Sequence, residues 1–186
     1  MIAFAMCGSY CTHKAALDAL EKLTAEGRKI TAVCSDNVWE TDTRFGTATS
    51  LRERLRELTG REVLHTIVET EPFGPDERWN MLIICPCTGN TLAKIASGIT
   101  DTSVTMAAKA MMRRGAPIVI ALSSNDAVSA NLANIAALYQ KKNVYFVPLR
   151  QDDPVKKPFS LSADFSRLGE TVFAAENGEQ PRPLFL

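Results

Sequence analysis

Met81-Leu-Ile-Ile-Cys-Pro-Cys-Thr-Gly-Asn-Thr-Leu-Ala-Lys-Ile-Ala-Ser-Gly-Ile-Thr-Asp101 is the stretch on which the fold turns. Its opening, Met81 to Cys85, is apolar without alternation, which is the pattern of a strand buried on both faces of a parallel sheet. A helix follows from near Thr91. A second helix then places Val104, Ala107, Ala108 and Met111 on one face, with Lys109, Arg113 and Arg114 opposite. Strand, short polar loop and helix make one βα unit, and the same alternation extends in both directions. Upstream, Ile2 to Met6 is an apolar run ending at Gly8-Ser9. The segment 13–26 carries Ala16, Leu20 and Leu23 at helical spacing and is closed by Gly27. Ile30 to Cys34 reads as a second strand that stops at Ser35-Asp36-Asn37. A polar loop leads to Ser50-x-x-Glu53, a capping box opening a helix with Leu51, Leu55 and Leu58 inward and Gly60 at its end. Val63 to Val68 reads as a third strand, which makes Met81 to Cys85 the fourth. Pro117 to Leu122 is a fifth, Leu132, Ile135, Ala136 and Tyr139 mark a helix, and Val144 to Val147 is a sixth.

This alternation predicts an α/β fold: a doubly wound parallel sheet in a Rossmann/flavodoxin-like three-layer sandwich, formed as one domain over residues 1–186. From about residue 149 the character changes to Gln-Asp-Asp-Pro-Val-Lys-Lys-Pro, an extended arm before a terminal helix around 163–175. Such an arm either reaches across a subunit interface or lies on the surface as a loop.

Composition narrows the function classes. The 186 residues carry 21 Lys and Arg against 21 Asp and Glu, so the net charge is zero, which excludes a basic footprint for nucleic acid or an anionic membrane. No apolar run approaches the ~20 residues of a membrane-spanning helix. The apolar N-terminus has no basic flank and runs straight into a glycine turn, as a first strand does and a signal peptide does not. Five Cys, an odd number, on a chain without an export signal point to reduced thiols and a cytoplasmic location.

In open parallel sheets the ligand lies beyond the carboxyl ends of the strands. The segments to inspect are Cys7–Thr12, Ser35–Asn37, Pro86–Thr91 and Ser123–Asp126, all rich in Ser, Thr, Asn and Gly and poor in charge. Short hydroxyl side chains and helix N-terminal amides in such loops can hold a phosphate, or simply cap their helices. There is no Walker sequence, and the first loop has one glycine, Gly8, where a dinucleotide fingerprint needs three; a single phosphate monoester fits better than a pyrophosphate. Asp36 occupies the position of a ribose-binding acid. Cys7, Cys11, Cys85 and Cys87 follow neighbouring strands and could converge, but their spacings are not those of structural zinc sites, and no metal is expected. His13 starts the first helix as an exposed histidine or an anion contact, and His65 falls in the third strand. Thr41-Asp-Thr-Arg-Phe-Gly46 offers Arg44 and an aromatic on a loop over the site, suited to a carboxylate and a flat ring, or else solvated with Arg44 in a surface ion pair.

The blocks Ala-x-Met-Cys-Gly-Ser-Tyr-Cys-Thr in the first strand and turn, Pro86 to Asp101, and Pro117 to Asp126 resemble the flavoprotein family of flavin-containing cysteine decarboxylases. The middle block is the specific one, and the likeness runs from residue 1 to about 175. Within that family, residues 41–46, 106–110, 124–127 and 145–158 look like a branch that forms one half of a two-component oxidative synthase in spore-forming bacteria. The resemblance implies an FMN site with Gly8, Ser9 and Ser35 around the phosphate and ribityl chain, completed by Thr88, Asn90 and Thr91. It implies a trimer-based homo-oligomer with the flavin near a subunit interface. It also implies a different, nicotinamide-binding protein as partner, a cyclic dicarboxylate substrate contacted by Arg44 and Asp126, and a place in the mother-cell cytoplasm during sporulation. Two departures stand out: the decarboxylases carry a catalytic His after their second strand, whereas residues 35–50 here contain none, and Cys stands at 7, 85 and 87. A stand-alone FMN-dependent decarboxylase, a flavin prenyltransferase and a cofactor-free structural partner are the alternatives.

Overall fold

A computed structural model describes residues 1–186. Five parallel strands form the centre of the sheet: β1 (Ile2–Met6), β2 (Ile30–Cys34), β3 (Met81–Cys87), β4 (Ile118–Ser124) and β5 (Val144–Phe146), in the order β2-β1-β3-β4-β5. Every residue of β1, β2, β3 and β5 is buried, as near-continuous apolar runs require when helices cover both faces. On one side α1 (His13–Ala25) packs on α3 (Ala48–Thr59) and α8 (Leu168–Glu176). On the other, α6 (Ser103–Arg114) packs on α4 (Ile67–Thr70) and α5 (Gly89–Ala96), and α5 on α7 (Leu132–Tyr139). The strand order is that of flavodoxin-like folds, whose chain reverses direction across the sheet between β1 and β3 and leaves a crevice there.

Four expectations are corrected. Val63 to Val68 is not a strand: Leu64 makes a single bridge to Val33, and Thr66 with Glu69 then closes a capping box that opens α4. The third helix starts at Ala48 rather than after Ser50, because Thr47 Oγ1 takes the Ser50 N–H at 3.1 Å before the Ser50-x-x-Glu53 box can form. Residues beyond 148 are not an extended arm. They fold into a hairpin of β6 (Leu149–Asp153) and β7 (Lys157–Ala163). Residues Leu161 and Ser162 of β7 pair antiparallel with Ser124 and Ser123 of β4, so the hairpin lengthens the sheet on the side where the parallel strands end. The short α2 (Asp36–Glu40) stands where the sequence suggests only a loop. Gly115 ends α6 at φ +73°, a backbone conformation that a Cβ would strain.

Candidate functional site

At the carboxyl ends of β1, β2 and β3 lies a cavity of about 320 Å³. Gly8 and Tyr10 face it from the turn after β1; Ser35, Asp36 and Asn37 from the turn after β2; Thr88, Asn90 and Thr91 from the start of α5 and Lys94 from its last turn; Asp101 and Thr102 from the approach to α6. Five of the six residues expected to hold a phosphate and polyol therefore share one cavity: Gly8, Ser35, Thr88, Asn90 and Thr91. Ser9 does not line it. Its hydroxyl instead donates to the Ser123 carbonyl at 2.8 Å, tying the first loop to the end of β4.

Local chemistry explains this convergence. Thr88 caps α5, accepting the Thr91 N–H at 3.1 Å and donating to Thr91 Oγ1 at 3.0 Å; Thr91 in turn donates to Cys7 Sγ at 3.4 Å. The cap leaves other first-turn amides of α5 unpartnered beside the cavity, where a helix N-terminus favours negative charge. Gly89, which the sequence alone does not mark out, is the tightest point. A Cβ there would lie 2.6 Å from Asn131 Nδ2 and from Ser124 Oγ, and 3.0 Å from Asp126 Oδ1. Only glycine lets the helix start this close to the end of β4. The Ser124 hydroxyl donates to the Asp126 carboxylate, so Asp126 sits behind Gly89 rather than lining the cavity. Lys94 Nζ holds Asp101 at 2.7 Å and keeps that carboxyl below its usual range. Lys94, missed in the sequence, lies four residues after Asn90, a spacing that puts both on one helical face.

The thiols assemble differently from the expectation. Cys7, Cys34, Cys85 and Cys87 are buried beneath the loops, while Cys11 is exposed. Burial pushes Cys7 up to about 11 and Cys34 up to about 12, and raises Cys85 and Cys87 as well. All four are neutral near pH 7, a floor without negative charge.

A second cavity, of about 450 Å³, adjoins the first across Tyr10 and is lined from α1, α2 and α3 and by Thr43, Phe45 and Gly46. Thr43 and Gly46 exchange backbone hydrogen bonds of 3.0 and 3.2 Å, and the Arg44 guanidinium lies 4.8 Å from the Phe45 ring centroid. Arg44 is exposed on this turn and lines neither cavity. His13 corrects the expectation of an exposed histidine: it is 8 % exposed and lines the second cavity. His65 belongs to no strand; it stacks flat on Trp39 at 3.7 Å, and its Nδ1 is buried without a hydrogen-bond partner. No helix is long and apolar enough to cross a membrane.

Residues 1–165 match the Flavoprotein family model. The chain is similar to the B component of dipicolinate synthase from Bacillus subtilis (strain 168), with 39 % identity over 185 residues, covering 100 % of this chain and 92 % of the relative. It also matches the crystal structure of the corresponding B component from Bacillus halodurans, with 38 % identity, a TM-score of 0.91 and coverage of 100 % and 95 % of the two chains. The FMN-dependent cysteine decarboxylase SpaF shares the fold, with 21 % identity, a TM-score of 0.68 and coverage of 94 % and 96 %.

Proposed function

The chain belongs to the Flavoprotein family, and from that premise we propose that it binds FMN as the B component of a dipicolinate synthase. In this reading it works with the A component of that synthase to oxidise a dihydrodipicolinate-type precursor during sporulation. The observation that carries the reading is the meeting of Gly8, Ser35, Thr88, Asn90 and Thr91 on one polar cavity at the β1/β3 crevice, in a chain 39 % identical along its length to such a component.

The residues fit the cofactor. The amides of α5 and the Asn90 side chain suit a phosphate monoester, and Lys94 stands at the rim of the same cavity, paired with Asp101. Ser35, Asp36 and Asn37 offer the donors and acceptors a ribityl chain needs, and the Tyr10 ring gives a flat wall for an aromatic group. Bound there, FMN supplies a two-electron acceptor. The chain's own part is to hold the ring system and exclude water, since loss of two hydrogens from a partly saturated ring is driven by aromatisation. Arg44, first expected as a substrate contact, lines neither cavity and is given no substrate role; it stands on the exposed 43–46 turn over the Phe45 ring. Asp126, first expected as a substrate contact, is assigned to orient Ser124 behind Gly89. The family resemblance further supports a trimer-based homo-oligomer and a mother-cell location.

The test is reconstitution. The purified chain, FMN, the A component and a dihydrodipicolinate precursor are mixed, and formation of the aromatic diacid is followed by ultraviolet absorbance. Product is expected only when both proteins are present. Product from the A component alone at the same rate, or none from the complete mixture, overturns the reading.

A further inference from the structure

Four hydrogen bonds beside the polar cavity end on one residue that does not line it, Cys7. It is 1 % exposed and stands immediately before Gly8. Its polar atoms are committed to three different elements. The Cys7 N–H donates to the Pro86 carbonyl of β3 at 3.1 Å. Its own carbonyl accepts from His13 Nε2 of α1 at 2.8 Å. Its sulfur accepts the Thr91 hydroxyl at 3.4 Å and the backbone N–H of Thr88, both at the start of α5. Burial raises the thiol to about 11, so the sulfur is a neutral acceptor near pH 7 and brings no charge to a site for an anion.

The sulfur settles two features of the cavity wall. Thr88 is the cap residue of α5, and its N–H has no carbonyl partner; Cys7 satisfies that donor inside the protein, which leaves the cap no freedom to turn outward. The hydroxyl hydrogens are also assigned. Thr91 gives its hydrogen to the sulfur, and Thr88 gives its own to Thr91 Oγ1 at 3.0 Å. Both oxygens, on residues that line the cavity, are thereby left as acceptors. Acceptors suit the hydroxyl groups of a polyol. Anionic oxygens need donors, which at this place are the first-turn amides of α5 and the Asn90 side chain.

We propose that Cys7 is a positioning residue of the cofactor site: its sulfur sets the pose of Thr88 and Thr91, so that their wall accepts from the hydroxyls of a polyol monophosphate while the α5 amides stay free for its phosphate. The inference rests on the FMN reading above and deepens it, by dividing the polyol contacts from the phosphate contacts and naming the buried group that orders them.

Cys7→Ala and Cys7→Ser in the full chain test it. Both remove the sulfur, and they differ by one hydrogen-bond acceptor, so a merely structural role predicts equal effects on binding. In fluorescence titrations with FMN, Cys7→Ala should bind about 10-fold more weakly than wild type, and Cys7→Ser at least about 3-fold more tightly than Cys7→Ala. Riboflavin, which has the polyol and no phosphate, should show the same order. Equal affinities of the two variants, or a loss confined to FMN, overturns the proposal. Amide hydrogen exchange read by nitrogen-15 NMR on the cofactor-free chain is the second measurement. The Thr88 amide should be protected in wild type and Cys7→Ser and exchange about 10-fold faster in Cys7→Ala; equal rates in all three overturn the proposal. A wild-type chain that takes up no FMN counts instead against the cofactor reading, and the exchange rates still decide the role of Cys7.

Discussion

Gly89→Ala places a methyl group at the tightest point of the site. Its Cβ would stand 2.6 Å from Asn131 Nδ2 and Ser124 Oγ and 3.0 Å from Asp126 Oδ1, all well inside normal contact. Neither near neighbour moves freely: Asn131 is 5 % exposed and its Oδ1 accepts from Asn134 at 3.1 Å, while Ser124 is held by Asp126. Overpacking of this kind costs about 1–3 kcal/mol. Alanine's helix propensity returns up to about 1 kcal/mol in a helix interior, and less at a first turn. The net destabilisation is about 1–2 kcal/mol, which for a chain of this size lowers Tm by about 2–8 °C. Thermal unfolding followed by circular dichroism, with urea unfolding at one temperature, measures it. A Tm equal to or above that of wild type would refute the packing argument, because propensity alone predicts that direction.

Thr88→Ala removes the α5 cap and should cost about 1 kcal/mol in urea unfolding; by loosening the first turn it should also weaken FMN uptake measured by flavin fluorescence. Arg114 donates to the carbonyls of Phe73, Asp76 and Trp79 and so pins the 71–80 segment against α6. Arg114→Ala should destabilise by about 2–3 kcal/mol, and a urea midpoint within error of wild type would remove that role. Burial lowers the pKa of His13 below its ordinary 6.5, so the unfolded chain binds the proton more readily. The His13 contribution is therefore full above that value and is lost as pH falls from it toward the folded pKa. Wild type should lose more stability than His13→Gln between pH 7.5 and 5.5, as read from paired urea midpoints.

The parallel core was legible because burial on both faces leaves an apolar run, unbroken in Ile2–Met6 and Met81–Cys87 and interrupted only by Thr31 in Ile30–Cys34. The misread elements depend on competition or on distant pairing. Val63 to Val68 is strand-like in composition, yet the Thr66-x-x-Glu69 capping box redirects it into α4, and that signal was present to be read. The β6–β7 hairpin has mostly exposed residues, so no apolar periodicity announces it; it exists because the end of β4 offers an edge to pair with. At the site, the loops after each strand were found from strand ends alone. Lys94 and Asp101 were missed because they reach the cavity through the helical turn of α5 and the link to α6. Cys34 took the place expected for Cys11 among the buried thiols, since Cys11 falls on the exposed side of a short helical turn that the glycine turn conceals in sequence.

The most direct test of the central claim is flavin binding by the chain alone. The purified full chain, incubated with FMN and freed of excess, should show flavin absorbance in the visible with about one FMN per chain released on denaturation and identified by mass. Replacement of Asn90 by Ala should lower that occupancy while leaving the far-ultraviolet circular dichroism unchanged. A colourless protein that takes up no added FMN would contradict the account.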